Sequence, residues 1–392
     1  MEIVAAIDSF KGSMTSVQAG KAAAKGIHKV DPEAKVHVRP LADGGEGTVE
    51  ALVSGMNGTI RKVSVTGPIG KTVVCEYGVI ENTGGKTEEK TAVIEIAKAA
   101  GLTLLSEEER NPLYTTTYGV GEVIKDAVRN GCRKFIVGIG GSATNDGGAG
   151  MLQALGFGLL KENGEQIPIG ARGLEELAEI TDDNVIPELA ECKFKIACDV
   201  TNVLCGETGA SAVYGPQKGA DEEMTERLDR LLFSYASLVK KKIPKADSMY
   251  PGTGAAGGLG FAFLTFMDAQ LESGIQIVIK ETGLEQEIAK ADLVITGEGR
   301  MDGQTAMGKA PIGIAKIAKK YGKPVIAFAG AAARDAGACN EQGIDAFFPI
   351  LREAVSLEAA MKRENAEANM EAAVEQAYRL WSCLLYTSPS PR

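Results

Sequence analysis

Residues 1–40 read MEIVAAIDSFKGSMTSVQAGKAAAKGIHKVDPEAKVHVRP, and this stretch decides the fold class. Ile3–Asp8 is a short apolar run with β-branched residues, the pattern of a strand buried on both faces. Ser9–Met14 is a polar loop. Thr15-Ser-Val-Gln18 then fits a capping box and opens a helix that runs to Val30, where Asp31-Pro32 ends it. Lys35–Pro40 is a second strand, Ala42–Gly47 a glycine-rich loop and Thr48–Ser54 a second helix. Strand, helix, strand, helix in this order calls for a parallel, doubly wound sheet.

Working outward, the middle of the chain changes pattern. Thr59–Thr66, Thr72–Ile80 and Lys90–Ile96 are β-rich runs joined by Gly67-Pro-Ile-Gly70 and Asn82-Thr-Gly-Gly85, both hairpin signals. Helix Gly119–Asn130, strand Phe135–Gly138, a hairpin at Lys161–Gly164, strand Phe194–Asp199 and helix Asp221–Val239 follow. Alternation returns with strand Leu293–Thr296, helix Pro311–Lys320, strands Val325–Ala329 and Ala346–Leu351, and a closing helix from Ser356 to Trp381. The predicted fold class is α/β. Residues 1–63 and 284–381 form a doubly wound, mostly parallel domain, and 64–283 an inserted, more β-rich α/β domain. Residues 382–392, SCLLYTSPSPR, carry no helical or strand pattern and read as a non-native-looking or disordered tail.

Composition narrows the function classes. The chain of 392 residues has a net charge of −10 and no basic block, which argues against nucleic acid as a partner. Any anionic substrate must therefore meet local Lys or Arg, helix N-termini or a metal ion. The 48 glycines exceed the usual ~7% share and suit tight strand-to-helix turns. The two histidines, His28 and His37, both fall outside the glycine-rich loops, so acid–base work is left to carboxylates, Lys or water. Seven cysteines without a CxxC pair suggest a reducing compartment. With no apolar run of membrane-spanning length and no signal-peptide pattern, a cytoplasmic protein without membrane partners is expected.

The glycine-rich loops mostly follow strand ends, where ligands bind in open α/β sheets. Asp8-Ser-Phe-Lys-Gly-Ser13 offers a carboxylate, Lys11 and hydroxyls before a helix, fit to hold an anion or simply to cap it. Asp43-Gly-Gly-Glu-Gly-Thr48 sets two carboxylates, Asp43 and Glu46, among glycines, which suits metal coordination or a tight turn. Gly140-Gly-Ser-Ala-Thr-Asn-Asp-Gly-Gly148 reads as a phosphate cradle, because several N–H groups can turn inward. Asp199 and Asn202 lie just past a strand, placed for a metal, a substrate hydroxyl or an Asx-turn. Gly252–Gly257 fits GxGxxG, but no strand precedes it, which weakens a dinucleotide reading. Gly303–Lys309 matches GxxxxGK, yet Ala310 replaces the Ser/Thr of a true P-loop. What remains there is a cation cluster with carboxylates: Glu298, Arg300, Asp302 and Lys309.

Together DSFKGS (8–13), ADGGEGT (42–48), GIGGSATNDGG (138–148), ACDVTN (197–202), GAAGGLG (254–260) and GEGRMDGQTAMGKAP (297–311) resemble, in order, the bacterial glycerate kinase family of the glycerate 2-kinase type. The resemblance covers residues 1 to 381 and implies ATP-dependent phosphorylation of D-glycerate with magnesium. Phosphoryl transfer needs positioning and charge neutralisation more than nucleophilic side chains, so a site without histidine is acceptable. On this resemblance Lys11, Arg300 and Lys309 neutralise the substrate carboxylate and γ-phosphate. Gly140, Gly141, Ser142, Thr144, Asn145 and Asp146, with Thr305 and Lys309, hold the nucleotide. Asp199 accepts or orients the hydroxyl proton, with Asp8 as fallback, and Asp43, Glu46 and Asp302 hold magnesium. Whether the 2- or 3-hydroxyl is phosphorylated, and whether the chain forms a homo-oligomer, stay open. Two other classes remain: a nicotinamide-dependent oxidoreductase acting on a small hydroxy acid, and a two-lobed, non-enzymatic small-acid binding protein.

Overall fold

The structure, a computed structural model, describes residues 1–42, 44–81 and 89–387. The predicted turn at Asn82–Gly85 lies outside them. Thirteen strands follow in chain order: β1 (Glu2–Ile7), β2 (Lys35–Val38), β3 (Thr59–Thr66), β4 (Thr72–Glu81), β5 (Lys90–Glu95), β6 (Cys132–Gly138), β7 (Gly158–Leu160), β8 (Glu179–Thr181), β9 (Lys193–Ala197), β10 (Gln270–Glu272), β11 (Leu293–Met301), β12 (Val325–Ala332) and β13 (Ala346–Pro349). They belong to two compact units, Met1–Asp43 with Glu50–Met56 and Val278–Arg392, and Gly44–Val49 with Asn57–Ile277. The sequence put the joins near 63 and 284. Here β3 lies wholly in the second unit, which also takes Gly44–Val49.

In the first unit five parallel strands form one sheet in the order β13-β12-β11-β1-β2. The apolar run Ile3–Ile7 is fully buried, as a strand with neighbours on both sides and helices on both faces must be. The order reverses between β1 and β11. Such a switch point leaves a crevice at the carboxyl ends of those two strands. Helix Ser16–His28 starts with the predicted capping box, in which the Gln18 N–H donates to Thr15 Oγ1 at 3.3 Å and the Thr15 N–H to Gln18 Oε1 at 2.9 Å. The closing helix is interrupted, as Leu357–Met361 and then Arg363–Thr387. It continues past Trp381, so residues 382–387 are helical where the sequence suggested no element. Nothing before Ser388-Pro389 disfavours helical backbone. Met370, Val374 and Tyr378 pack with Ile3, Ile7, Ile27, Leu293 and Phe328 in this unit's core.

The second unit has a six-stranded sheet ordered β10-β9-β6-β5-β4-β3, antiparallel from β3 to β5 and parallel beyond, plus the β7–β8 pair. Phe135 of β6 and Phe194 of β9 stack at 4.6 Å beneath it. Glu95 pairs with Gly138, and Gly138 with Ala197, so three parallel strands end level. Three loops therefore leave from one edge. Among the described residues no helix is long and apolar enough to cross a membrane.

Helix Ser16–His28 lies so close to the closing helix that a Cβ on Gly26 would sit 2.4 Å from the Glu371 carbonyl oxygen. Gly26→Ala should thus separate two packed helices and lower stability by ~1–3 kcal/mol, the usual cost of overpacking, in denaturant unfolding.

Candidate functional site

In the first unit two loops leave the carboxyl ends of β1 and β11. The Asp8 N–H donates to the Gly297 carbonyl at 2.9 Å, which ties the first loop to the second. Strand β11 runs to Met301, beyond the predicted end at Thr296, so Glu298 and Arg300 stand on a strand instead of in a loop. Glu298 is buried and accepts the Thr305 hydroxyl at 2.5 Å. Burial holds its carboxyl above the usual value, while the Thr305 bond and the charges of Lys309 and Lys11 pull it down. Lysines from two loops thus act electrostatically on one acid. Arg300 is exposed, and its Nε lies 3.7 Å from Asp302. Lys309 Nζ lies 3.8 Å from the other Asp302 oxygen and precedes helix Ala310–Lys320, with Pro311 in its first turn as predicted.

In the second unit the glycine loops rest on one another. A Cβ on Gly138 would meet the Gly44 carbonyl oxygen at 2.4 Å, so only glycine admits this contact. Glu95, at the end of β5, is buried and accepts the N–H of Val49 at 2.8 Å, with the Gly47 N–H as a second donor. Burial raises its pKa, and these N–H bonds lower it. It therefore shapes the Gly44–Val49 segment from below. Glu46 is exposed. The Gly140–Gly148 loop is pinned outside by Leu102 and Ala143, whose N–H groups donate to Gly141 and Ala100 carbonyls at 2.9 and 2.8 Å. Inside, Asp146 accepts from Thr117 N–H (2.8 Å), Thr117 Oγ1 (2.9 Å), Gly148 N–H (3.1 Å) and Gly150 N–H (3.3 Å). Exposed Asp199 follows β9 and accepts the Gly274 N–H at 3.3 Å.

Four residues expected to hold the nucleotide are buried. Thr144, Asn145 and Asp146 have no exposed surface, and Asp146 already fills the N-terminus of the next helix with its own carboxylate. Fully buried Thr305 gives its hydroxyl to Glu298. What the loop leaves reachable is half-buried Gly140 and exposed Gly141, beside Ser142, which is 6% exposed. The N–H groups of Gly141 and Ser142 have no acceptor among the described residues, which suits an anion. Asp302, predicted as a magnesium ligand, instead caps a short helix, accepting from Gln304 and Thr305 N–H, and its charge is met by Arg300 and Lys309. Asp43 lies outside the described residues. Among those described, no cluster of three or more His, Cys, Asp or Glu could hold a metal ion. Glu46 is exposed, and its carboxylate could serve as a single ligand to an ion carried by phosphates. Residues 252–257 follow a turn, and Ala256–Gly258 have positive φ, so no strand-to-helix dinucleotide fingerprint is present. Sequence reasoning missed Glu95 and Lys218, since neither lies in a glycine-rich run that would flag it.

A profile of the glycerate kinase family matches residues 3–382. The chain is 49% identical over 361 residues to a glycerate kinase of Halalkalibacterium halodurans, covering 92% of this chain and 93% of that one. It is 46% identical over 362 residues to the glycerate 2-kinase of Escherichia coli K12, with coverage of 92% and 93%. A crystal structure of a proposed glycerate kinase 2 from Salmonella typhimurium LT2 superposes with a TM-score of 0.88 at 45% identity, covering 98% of this chain and 99% of that one.

Because Glu298's pKa lies above its ordinary 4.5, the folded protein holds this proton more tightly than the unfolded chain. Its contribution to stability is complete below that value and is lost as pH rises through the raised one. A pH series of unfolding free energies should fall less steeply over this window in Glu298→Gln than in the parent protein.

Proposed function

The chain belongs to the glycerate kinase family and is a glycerate kinase, an ATP-dependent phosphotransferase; we propose, from that premise, which of its residues carry the reaction. The nicotinamide alternative has no support. The observation that carries the reading is the meeting of the Lys11 and Lys309 loops at the switch point: a Cβ on Gly299 would lie 3.6 Å from the Lys11 backbone nitrogen, and Lys309 Nζ lies 3.8 Å from Asp302. In a chain of net charge −10, such local cations are what a carboxylate or phosphate substrate needs.

Lys11, Arg300 and Lys309 neutralise the D-glycerate carboxylate and the γ-phosphate. Gly141 and Ser142 receive the triphosphate through backbone N–H groups, beside Gly140, whose own N–H donates to the Gly44 carbonyl at 3.5 Å. The substrate hydroxyl oxygen attacks the γ-phosphorus, its proton passes to Asp199, and ADP leaves; Asp8 is the alternative acceptor. Magnesium on the triphosphate would supply neutralising charge, with Glu46 as the fitting protein ligand and Asp43 a further candidate. The family resemblance favours transfer to the 2-hydroxyl. Cys75, Cys132, Cys192, Cys198, Cys205 and Cys339, none of them in a disulfide, accord with a reducing, cytoplasmic setting.

Phosphorus NMR of the product from D-glycerate, ATP and magnesium should show 2-phosphoglycerate; a 3-phosphoglycerate signal would reverse the regiochemistry. Asp199→Asn should lower kcat by ~10²–10⁴-fold, the usual loss on removing a general base. A kcat within about threefold of the parent's removes that role. Lys309→Ala should raise the KM of ATP or glycerate, and unchanged constants would remove Lys309 from the site.

A further inference from the structure

Lys218 closes the short turn Pro216–Lys218 in the second unit and is only 2% exposed. Interior lysines are rare, because burial strips the ammonium of water. Here burial pushes its pKa down to about 7, with Asp146 pulling it back up from beyond ion-pair distance. No carboxylate among the described residues forms an ion pair with it. Its one side-chain hydrogen bond among the described residues runs from Nζ to the Thr144 carbonyl, at 2.7 Å, inside the Gly140–Gly148 loop. A buried cation spent on a single carbonyl is a poor source of stability, since an apolar side chain of the same volume would avoid the desolvation. Its return must lie in what that carbonyl does.

The peptide between Thr144 and Asn145 is planar and trans, as no cis bond occurs among the described residues. When its carbonyl is held toward Lys218, its N–H points the opposite way. The Asn145 N–H has no acceptor among the described residues. The peptide also packs against Gly257, where a Cβ would come within 2.0 Å of the Thr144 carbonyl oxygen, but side-chain restraint is sparse. Among the described residues Thr144 Oγ1 and Asn145 Oδ1 have no hydrogen-bond partner, and the Asn145 side chain is tied there only through Nδ2 to Ser211 Oγ at 2.9 Å. Lys218 is thus the side chain that sets the direction of the central peptide of the loop, between the clamp at Gly141–Ala143 and the strut at Asp146.

We propose that Lys218 is a positioning residue for phosphoryl transfer, which from inside the second unit fixes the Thr144–Asn145 peptide so that the Gly140–Gly148 loop is ready for the triphosphate of ATP. This inference rests on reading that loop as the nucleotide cradle. Lys218 does not touch the substrate. It lowers the cost of binding by ordering the loop beforehand.

The test is steady-state kinetics on the full chain with thermal unfolding measured beside it. Lys218→Met removes the donor at similar volume. It should raise the KM of ATP by ~10- to 100-fold, the worth of a lost charged hydrogen bond, while kcat and the KM of glycerate move by less than about threefold. Lys218→Gln keeps a donor but is one atom shorter, so a smaller rise in the KM of ATP is expected. If the Met variant does not fold, the Gln variant decides. An ATP KM unchanged in the folded variant overturns the proposal. So does a fall in kcat with both KM values that simply follows the loss in melting temperature. Gly141→Val serves as the control for the cradle itself, because it puts a side chain at φ +71°, 3.3 Å from Ala97 Cβ. If that change leaves the ATP KM untouched, the cradle reading falls. If it raises the ATP KM and the Lys218 variants do not, only the role of the lysine falls.

Discussion

A carboxylate taken out of water must be met by donors, and the loops of this protein are shaped around that requirement. Glu95 turns the N–H groups of Gly47 and Val49 toward itself. Asp146 gathers Thr117, Gly148 and Gly150. Glu298 takes the Thr305 hydroxyl and lies in the field of two lysines. Each acid lies near or beyond the carboxyl end of a parallel strand, under a glycine-rich segment. A buried carboxyl group works there beside the few apolar anchors, Val49, Ala143 and Met301. It fixes the backbone while leaving the outer N–H groups unspent.

Parallel strands supply the other half of the arrangement. The register Glu95–Gly138–Ala197 makes three strands of the second unit finish level. In the first unit the reversal of strand order between β1 and β11 brings the Asp8–Ser13 loop beside the extended end of β11. Both edges therefore concentrate polar loops drawn from distant parts of the chain. The cations among them stand out because the chain as a whole is acidic. Lys11, Arg300 and Lys309 each stand on a loop or strand end of the first unit, where local positive charge favours an anion.

The helical closure shows how local rules and packing divide the work. The capping box at Thr15 is a local matter and was legible as written. The closeness of helix Ser16–His28 to Arg363–Thr387 depends on Gly26, which in sequence looks like any weak point in a helix. The extension of the closing helix through Thr387 was equally hidden. A short run of Ser, Cys, Leu and Tyr has no periodicity of its own and simply continues a helix already nucleated.

By itself the sequence determined the α/β class, the succession of strands and helices, the hairpins and the order of the glycine-rich motifs, because apolar period, turn residues and capping pairs are encoded over a few residues. The same motifs carried the family. Tertiary structure decided which side chain of each motif is exposed and which is buried. Thr144, Asn145, Asp146 and Thr305 look like ligands in a polar loop, yet they are buried, while Glu95 and Lys218 lie outside the obvious motifs and support them from within. Burial arises from contacts between segments far apart in the chain, so no local pattern records it.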